Sequence, residues 1–292
     1  MLNLKFQPRH IHWIVFVLGV VGFGMDILFL HESDTRYCCS HGFQWPDNYT
    51  AAVAWTWDDN NYAAYERILT VAREISLEAK MSFAVIPGYA HYDAKRTREL
   101  CDRGGSLLGH TWNHDDLDLI TDDDMVNTLS RSQDALRIDA NDGTAANTVT
   151  YPFGSVPGES THPRGWDTMR HRYISARTVT QGANYKSERV RHCWLGWFGC
   201  RIRMQPHDRY RVKVVDVGIS DFESISTTIH KARESGGYLI FYGHTLTGFE
   251  GWGPTPEATL NKTLELLANM TDVWQTDYHG IVEHLLNTSQ TL

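Results

Sequence analysis

Cysteine is scarce in this chain, with 5 residues in 292, and no two of them stand in the C-x-x-C spacing of a thiolate zinc site. A structural zinc module built from cysteines is thereby excluded. A basic surplus is also missing: 27 Lys and Arg face 35 Asp and Glu, giving a net charge of −8. Binding to a phosphate backbone needs a positive face, so nucleic acid is excluded as a partner. No glycine-rich phosphate loop follows the first strand-like segment, and there is no internal repeat or low-complexity tract. What remains, at 42% hydrophobic and 21% charged residues, is the composition of an ordinary globular protein with enough apolar material for one large domain.

Only one long apolar run interrupts that picture. Residues 11–30 read IHWIVFVLGVVGFGMDILFL behind Lys5 and Arg9, the layout of a signal peptide or signal anchor. Asp26 and His12 break the run, and Gly22 and Gly24 are small enough to surround a cleavage site, but its length favours an uncleaved anchor. The expected organisation is therefore a membrane-targeting segment over 1–30, a linker over 31–47 and one domain over 48–292. Four N-x-[ST] sequons, at Asn48, Asn261, Asn269 and Asn287, fit a lumenal or extracellular domain and predict exposure at those sites. Cys193 and Cys200 flank WLGWFG, a span suited to a disulfide across a hairpin-like loop. The odd cysteine count leaves at least one thiol free or intermolecular.

From residue 51 onward, strand-like runs alternate with helical ones. AAVAWTW is followed by a helix from about residue 63, MSFAVIP by a helix from 94, and SLLGH by a helix over 121–140 capped by Thr121. TVTYPFG, YISART, VKVVDVG and YLIFYGH continue the series, with helices from about 225 and 258. Seven strand-like segments in parallel β/α order suit a closed or nearly closed barrel better than an open doubly wound sheet.

Catalytic groups of such barrels stand at the carboxyl ends of the strands. Here the first strand ends in Asp58-Asp59, the third in Gly109-His110, the next in Tyr151-Pro152-Phe153-Gly154 and the last long one in Gly243-His244. His110 and His114 are four apart, which places both imidazoles on one side of a helical turn or tight loop. With Asp59 they complete the two-histidine, one-carboxylate set of an open zinc site. An isolated histidine pair at this spacing is commonly just a polar helix face, and adjacent carboxylates are commonly a solvated turn or helix cap. The apolar strand running directly into Asp58 argues against the bland reading. Consecutive strand residues point to opposite faces, so one carboxylate is expected to hold metal while the other approaches from a different angle.

Thr56-Trp57-Asp58-Asp59-Asn60, followed by His110-Thr111-Trp112-Asn113-His114, resembles the first two motifs of the polysaccharide deacetylases, carbohydrate esterase family 4. Tyr151-Pro152-Phe153-Gly154, Asp221-Phe222 and Gly243-His244 are similar to the third, fourth and fifth motifs, so the resemblance spans roughly residues 50–285. It implies a distorted (β/α)7 barrel and a hydrolase that removes acetyl groups from an acetylated polysaccharide containing N-acetylglucosamine. It also implies a divalent metal, zinc with cobalt as the alternative, on Asp59, His110 and His114. Asp58 becomes the general base and His244 the general acid, with an oxyanion donor in the backbone near Phe153 and with Tyr151 and Asp221 on the substrate side.

Two departures stand out. The family often carries arginine where this chain has Thr150, which supports a second reading as a catalytically inactive carbohydrate-binding relative. Arg177, in YISART, is a candidate to supply the missing charge beside the base, a surface salt bridge being the alternative. Asn60 replaces a glycine that usually follows the acid pair, and asparagine tolerates the left-handed backbone that glycine would supply. Among the 10 tryptophans, Trp55, Trp57 and Trp112 flank the proposed ligands and are expected to wall the acetyl pocket, while Trp194 and Trp197 fall in the disulfide loop.

Overall fold

A computed structural model describes residues 42–76, 79–140, 146–192, 201–206 and 208–288. The apolar run 11–30, the Cys38-Cys39 pair, the expected pairing of Cys193 with Cys200, and Trp194 and Trp197 lie outside the described residues. Among the described residues no helix is long and apolar enough to cross a membrane, and Cys101 is the one cysteine.

Seven parallel strands close a barrel: β1 (Ala51–Trp57), β2 (Met81–Val85), β3 (Ser106–Gly109), β4 (Thr148–Thr150), β5 (Ser175–Gln181), β8 (Val212–Asp216) and β9 (Tyr238–Gly243). They follow one another around the ring, and β9 returns to β1 with Ala52 beside Tyr238 and Trp57 beside Gly243. β2 pairs only with the carboxyl half of β1, from Trp55 to Trp57. The short β10 (Val273–Gln275) occupies the same edge lower down, against Ala51–Val53. Between β5 and β8 an antiparallel hairpin, β6 (Ser187–His192) and β7 (Arg201–Pro206), forms its own two-stranded sheet.

Helices α1 (Tyr62–Ile75), α2 (Ala94–Asp102), α3 (Asp122–Asp139), α4 (Pro163–Arg172), α5 (Phe222–Ser235), α6 (Glu257–Ala268) and α7 (Tyr278–Asn287) complete the fold. The caps are legible in the sequence: Asn61, Asp93, Thr121, Asp221 and Asp277 each accept a backbone N–H in the first turn of the helix that follows. α5 stops at Gly236, whose φ of 70° is the left-handed ending that glycine takes without a Cβ penalty. α4 and α7, ten residues each, go unanticipated.

Strand alternation splits the apolar residues into two layers. Val53, Trp55, Trp57, Phe83, Val85, Leu239 and Phe241 pack with helix residues such as Tyr65, Ile68, Ile225 and Leu264 outside the barrel. Ala52, Ala54, Ala84, Leu108, Val214, Tyr238, Ile240 and Tyr242 form a second cluster, the barrel's inner face. The alanines of β1 and β2 leave room there for the tyrosines of β9 and for Tyr278 of α7. Tyr278 shares a hydrogen bond of 2.6 Å with Ser175 at the amino end of β5, so α7 closes the barrel floor.

Phe43 and Trp45, in the stretch read as a linker, are buried against Tyr238, with ring centroids 5.6 and 6.0 Å away. Trp55 and Trp57 belong to the outer layer and do not wall a pocket, because their parity on β1 is opposite to that of Asp58. Of the sequons, Asn48, Asn269 and Asn287 are exposed. Asn261 departs from the expectation: its side-chain oxygen is buried within α6, and the Thr263 hydroxyl donates to Thr259 O.

Candidate metal centre and active-site cleft

Alternation along β1 sends Ala52, Ala54, Thr56 and then Asp58 into the barrel. Asp59 does not take the opposite face, as a continued strand would require. The strand ends at Trp57, and the backbone turns through left-handed conformations at Asp59 (φ 78°) and Asn60 (φ 57°), which swings both carboxylates to the same cleft. Such conformations cost on the order of 1–3 kcal/mol each and need external support. Asn60 provides it, donating to Ile86 O at 2.9 Å and accepting from Ile86 N at 2.8 Å. The asparagine therefore clamps the turn to the end of β2, which a glycine cannot do.

His110 follows β3, and His114 sits at the end of a tight loop with positive φ at Thr111 and at His114 itself (both 61°). The loop is not a helical turn. Asp115 N donates to Thr111 Oγ1, Trp112 N donates to Thr128 Oγ1 of α3, and Gly88 N donates to Trp112 O. Gly88 is required at that contact, since a Cβ there would lie 2.3 Å from Trp112 O. Trp112 itself turns away from the cleft and carries the Arg131 guanidinium 4.1 Å from its ring centroid.

The His110 ring is oriented by Thr150, whose carbonyl lies 2.9 Å from Nδ1 and whose hydroxyl lies 2.6 Å from it. Nδ1 is thereby occupied, and Nε2 faces the cleft 3.4 Å from Asp59 Oδ1. His114 Nε2 lies 3.5 Å from the same oxygen. One ligand atom from each of the three residues lies within 4.8 Å of the others. Asp59 Oδ1 is buried without a hydrogen-bond partner. An orphaned carboxylate oxygen between two imidazole nitrogens fits a divalent cation and is costly otherwise. Burial alone would raise the Asp59 pKa, but the adjacent His110, His244 and His114 outweigh it and hold the group at about 2. His114 is lowered by burial and by the charge of His110. His110 is raised because the charges of Asp58 and Asp59 overcome its burial.

Asp58 is buried and held by Arg177, one guanidinium nitrogen lying 2.5 and 2.7 Å from its two oxygens. Arg177 is 0% exposed, so the surface salt bridge is ruled out. Its position explains the departure at Thr150: the two residues are register partners on β4 and β5, and the charge reaches Asp58 from the neighbouring strand. His244 stands across the cleft with Nε2 3.7 Å from Asp59 Oδ2, its ring edge-on to Tyr242 and Trp252 at 4.9 and 5.0 Å. The cleft has a volume of about 470 Å³, and Tyr151, Phe153, Val179, Tyr242 and Trp252 line it beside the two acids and three histidines. Phe153, left-handed at φ 58°, is exposed and packs edge-on against His114 at 4.6 Å.

Asp221 is not brought into this group; it caps α5, accepting from Ser224 N at 2.7 Å. Tyr242 and Trp252 are cleft residues that the sequence reading missed. Tyr242 lies on β9 at the parity of Tyr238 and Ile240, so alternation alone marks it as facing inward. Trp252 lies in a loop with no periodic signal.

A closed parallel β/α barrel with an aspartate-histidine-histidine cluster at the carboxyl ends of its strands defines the class of protein. Residues 46–163 match the family model described as polysaccharide deacetylase. Solved structures share the fold. A Mycobacterium smegmatis protein assigned to the polysaccharide deacetylases is 17% identical over 86% of this chain and 95% of its own, with a TM-score of 0.63. The PuuE allantoinase is 10% identical over 85% and 94%, with a TM-score of 0.59. A family 4 carbohydrate esterase from Streptomyces lividans, in complex with acetate, is 13% identical over 77% and 91%, with a TM-score of 0.51. A comparison with curated proteins finds no match.

Proposed function

We propose that the chain is a metal-dependent deacetylase acting on an acetylated polysaccharide that contains N-acetylglucosamine. The observation that carries this reading is the orphaned Asp59 oxygen between the His110 and His114 nitrogens, with a second carboxylate, Asp58, held beside it by a buried arginine. A divalent cation on Asp59, His110 and His114, zinc or in its place cobalt, would polarise the acetyl carbonyl and acidify an attacking water.

The chain's own groups then have distinct tasks. Asp58 takes the water's proton, and Arg177 fixes the orientation of its carboxylate. The Phe153 N–H, in a turn closed by Gly154 N donating to Tyr151 O at 3.0 Å, is positioned to stabilise negative charge on the acetyl oxygen. His244 supplies the proton that the departing amine or alcohol needs. The exposed rings of Phe153 and Trp252 offer flat apolar faces for a sugar at the cleft mouth. Residues 48–292 form the catalytic domain in this reading. Residues 1–30 anchor it to a membrane in the secretory pathway, with the cleft on the lumenal or extracellular side.

The inactive, carbohydrate-binding alternative rested on the arginine missing at position 150, and Arg177 removes that support. Acetate release from chitin oligomers, peptidoglycan and acetylated xylan, with zinc or cobalt added, tests the proposal. Release from at least one polymer, abolished by chelation and restored by metal, is the expected result. Tight glycan binding without acetate release overturns it in favour of the binding protein. Hydrolysis of small cyclic amides alone overturns it in favour of a small-molecule C–N hydrolase.

A further inference from the structure

The proposed proton donor His244 has its cleft-facing nitrogen already engaged. Nε2, the atom directed toward Asp59, shares a 2.9 Å hydrogen bond with the hydroxyl of Tyr242, which lines the same cleft. Tyr242 is not a casual neighbour. Its ring is 5% exposed, its main-chain oxygen accepts from Val217 N at 2.9 Å, and the Arg177 guanidinium stands 4.7 Å from its centroid. The arginine that fixes Asp58 therefore also fixes the ring whose hydroxyl meets His244. Asp216 is the register partner of Tyr242 on β8, but its Oδ1 accepts from Gly218 N at 2.8 Å. Burial and the charge of Asp58 both favour the neutral phenol over phenolate.

We propose that Tyr242 is a further catalytic residue, the hydroxyl through which His244 delivers its proton to the leaving atom of the substrate. The transfer is balanced: the Nε2–H bond of the imidazolium breaks as a proton joins the Tyr242 oxygen. That oxygen releases its own proton to the leaving nitrogen or oxygen, so the phenol is regenerated and the imidazole ends neutral. The inference rests on the deacetylase reading and deepens it.

Tyr242→Phe keeps the ring beneath Arg177 and removes only the relay. The test compares wild type, Tyr242→Phe, His244→Ala and the double variant, all metal-loaded and checked for an unchanged thermal midpoint. The substrates are an N-acetylglucosamine oligomer and 4-nitrophenyl acetate, whose leaving group departs without protonation. A relay predicts that Tyr242→Phe loses roughly 100-fold in kcat on the oligomer and at least ten-fold less on the aryl ester. It also predicts that the double variant is no slower than His244→Ala alone, since both members serve one step. Equal losses on the two substrates, or losses that multiply in the double variant, assign Tyr242 a packing role and overturn the proposal. Wild-type turnover by Tyr242→Phe overturns it while leaving the deacetylase reading intact. A wild type that hydrolyses neither substrate overturns both.

Discussion

Arg177 and Asp58, 119 residues apart, meet inside the barrel as an ion pair of which neither side chain is more than 3% exposed. Removing one member of such a pair strands the other charge in a low-dielectric interior. Arg177→Ala is therefore expected to cost about 3–5 kcal/mol in urea denaturation, and Arg177→Met combined with Asp58→Asn less than Arg177→Met alone. A single variant within about 1 kcal/mol of wild type would show that water or a rearranged neighbour compensates the carboxylate.

Restoring the arginine that the family often carries at position 150 should harm this chain. Thr150 is fully buried beside Arg177 and orients the His110 ring, so Thr150→Arg places a second cation against the first and removes a hydroxyl 2.6 Å from Nδ1. Loss of thermal stability together with weaker metal retention is expected. Enhanced turnover with unchanged stability would contradict the account of Arg177 as the replacement.

Asp58→Asn separates base from ligand. The amide keeps the shape but cannot accept a proton, so turnover should fall by roughly two to four orders of magnitude while metal stays bound at wild-type stoichiometry. The unpaired Arg177 will also lower stability, which makes metal content by elemental analysis the deciding measurement. If metal leaves with activity, the roles of Asp58 and Asp59 must be exchanged.

The pKa directions fix how metal affinity depends on pH. Asp59, at about 2, stays ionised at every usable pH. His114, lowered, is neutral at its ordinary value of 6.5 and above. His110 is raised, so the metal-free protein is stabilised by its proton below 6.5 and loses that stabilisation as pH rises through the raised value. Metal needs the neutral ring and must displace that proton. Zinc affinity measured by calorimetry should climb from pH 6.5 through that window and then level off. Roughly one proton should be released per ion near its lower end, seen by comparing buffers of different ionisation enthalpy. Affinity flat across the window would remove His110 from the ligand set.

Seven strand-like runs in order were legible because buried parallel strands are nearly continuous apolar segments, and the loops after them carry their polar residues at fixed places. Helices α1, α2, α3, α5 and α6 were legible through periodicity, reinforced at α3 by the Thr121 cap. α4 is a short, polar helix beginning at Pro163, and α7 is a short helix whose burial comes from closing the barrel floor. Neither announces itself locally. The expected opposite facing of Asp58 and Asp59 failed because strand parity was carried one residue too far: the left-handed turn at Asp59 and Asn60 depends on Ile86, 26 residues away from Asn60.

The sequence by itself determined which residue types stand at the carboxyl ends of the strands, since parallel alternation and the acid and histidine spacing are properties of the chain read in order. Only the tertiary structure decided which of them act together. Arg177 enters the site because β4 and β5 pair with Thr150 beside it. Tyr242, inward by strand parity, joins the acting groups only because its hydroxyl meets His244 Nε2, while Asp221 leaves the site to cap a helix. Trp55 and Trp57 face the helices because the barrel closes with their side of β1 outward. Each outcome depends on strand register and barrel closure, which are fixed by packing among residues distant in sequence and leave no mark at the positions they rearrange.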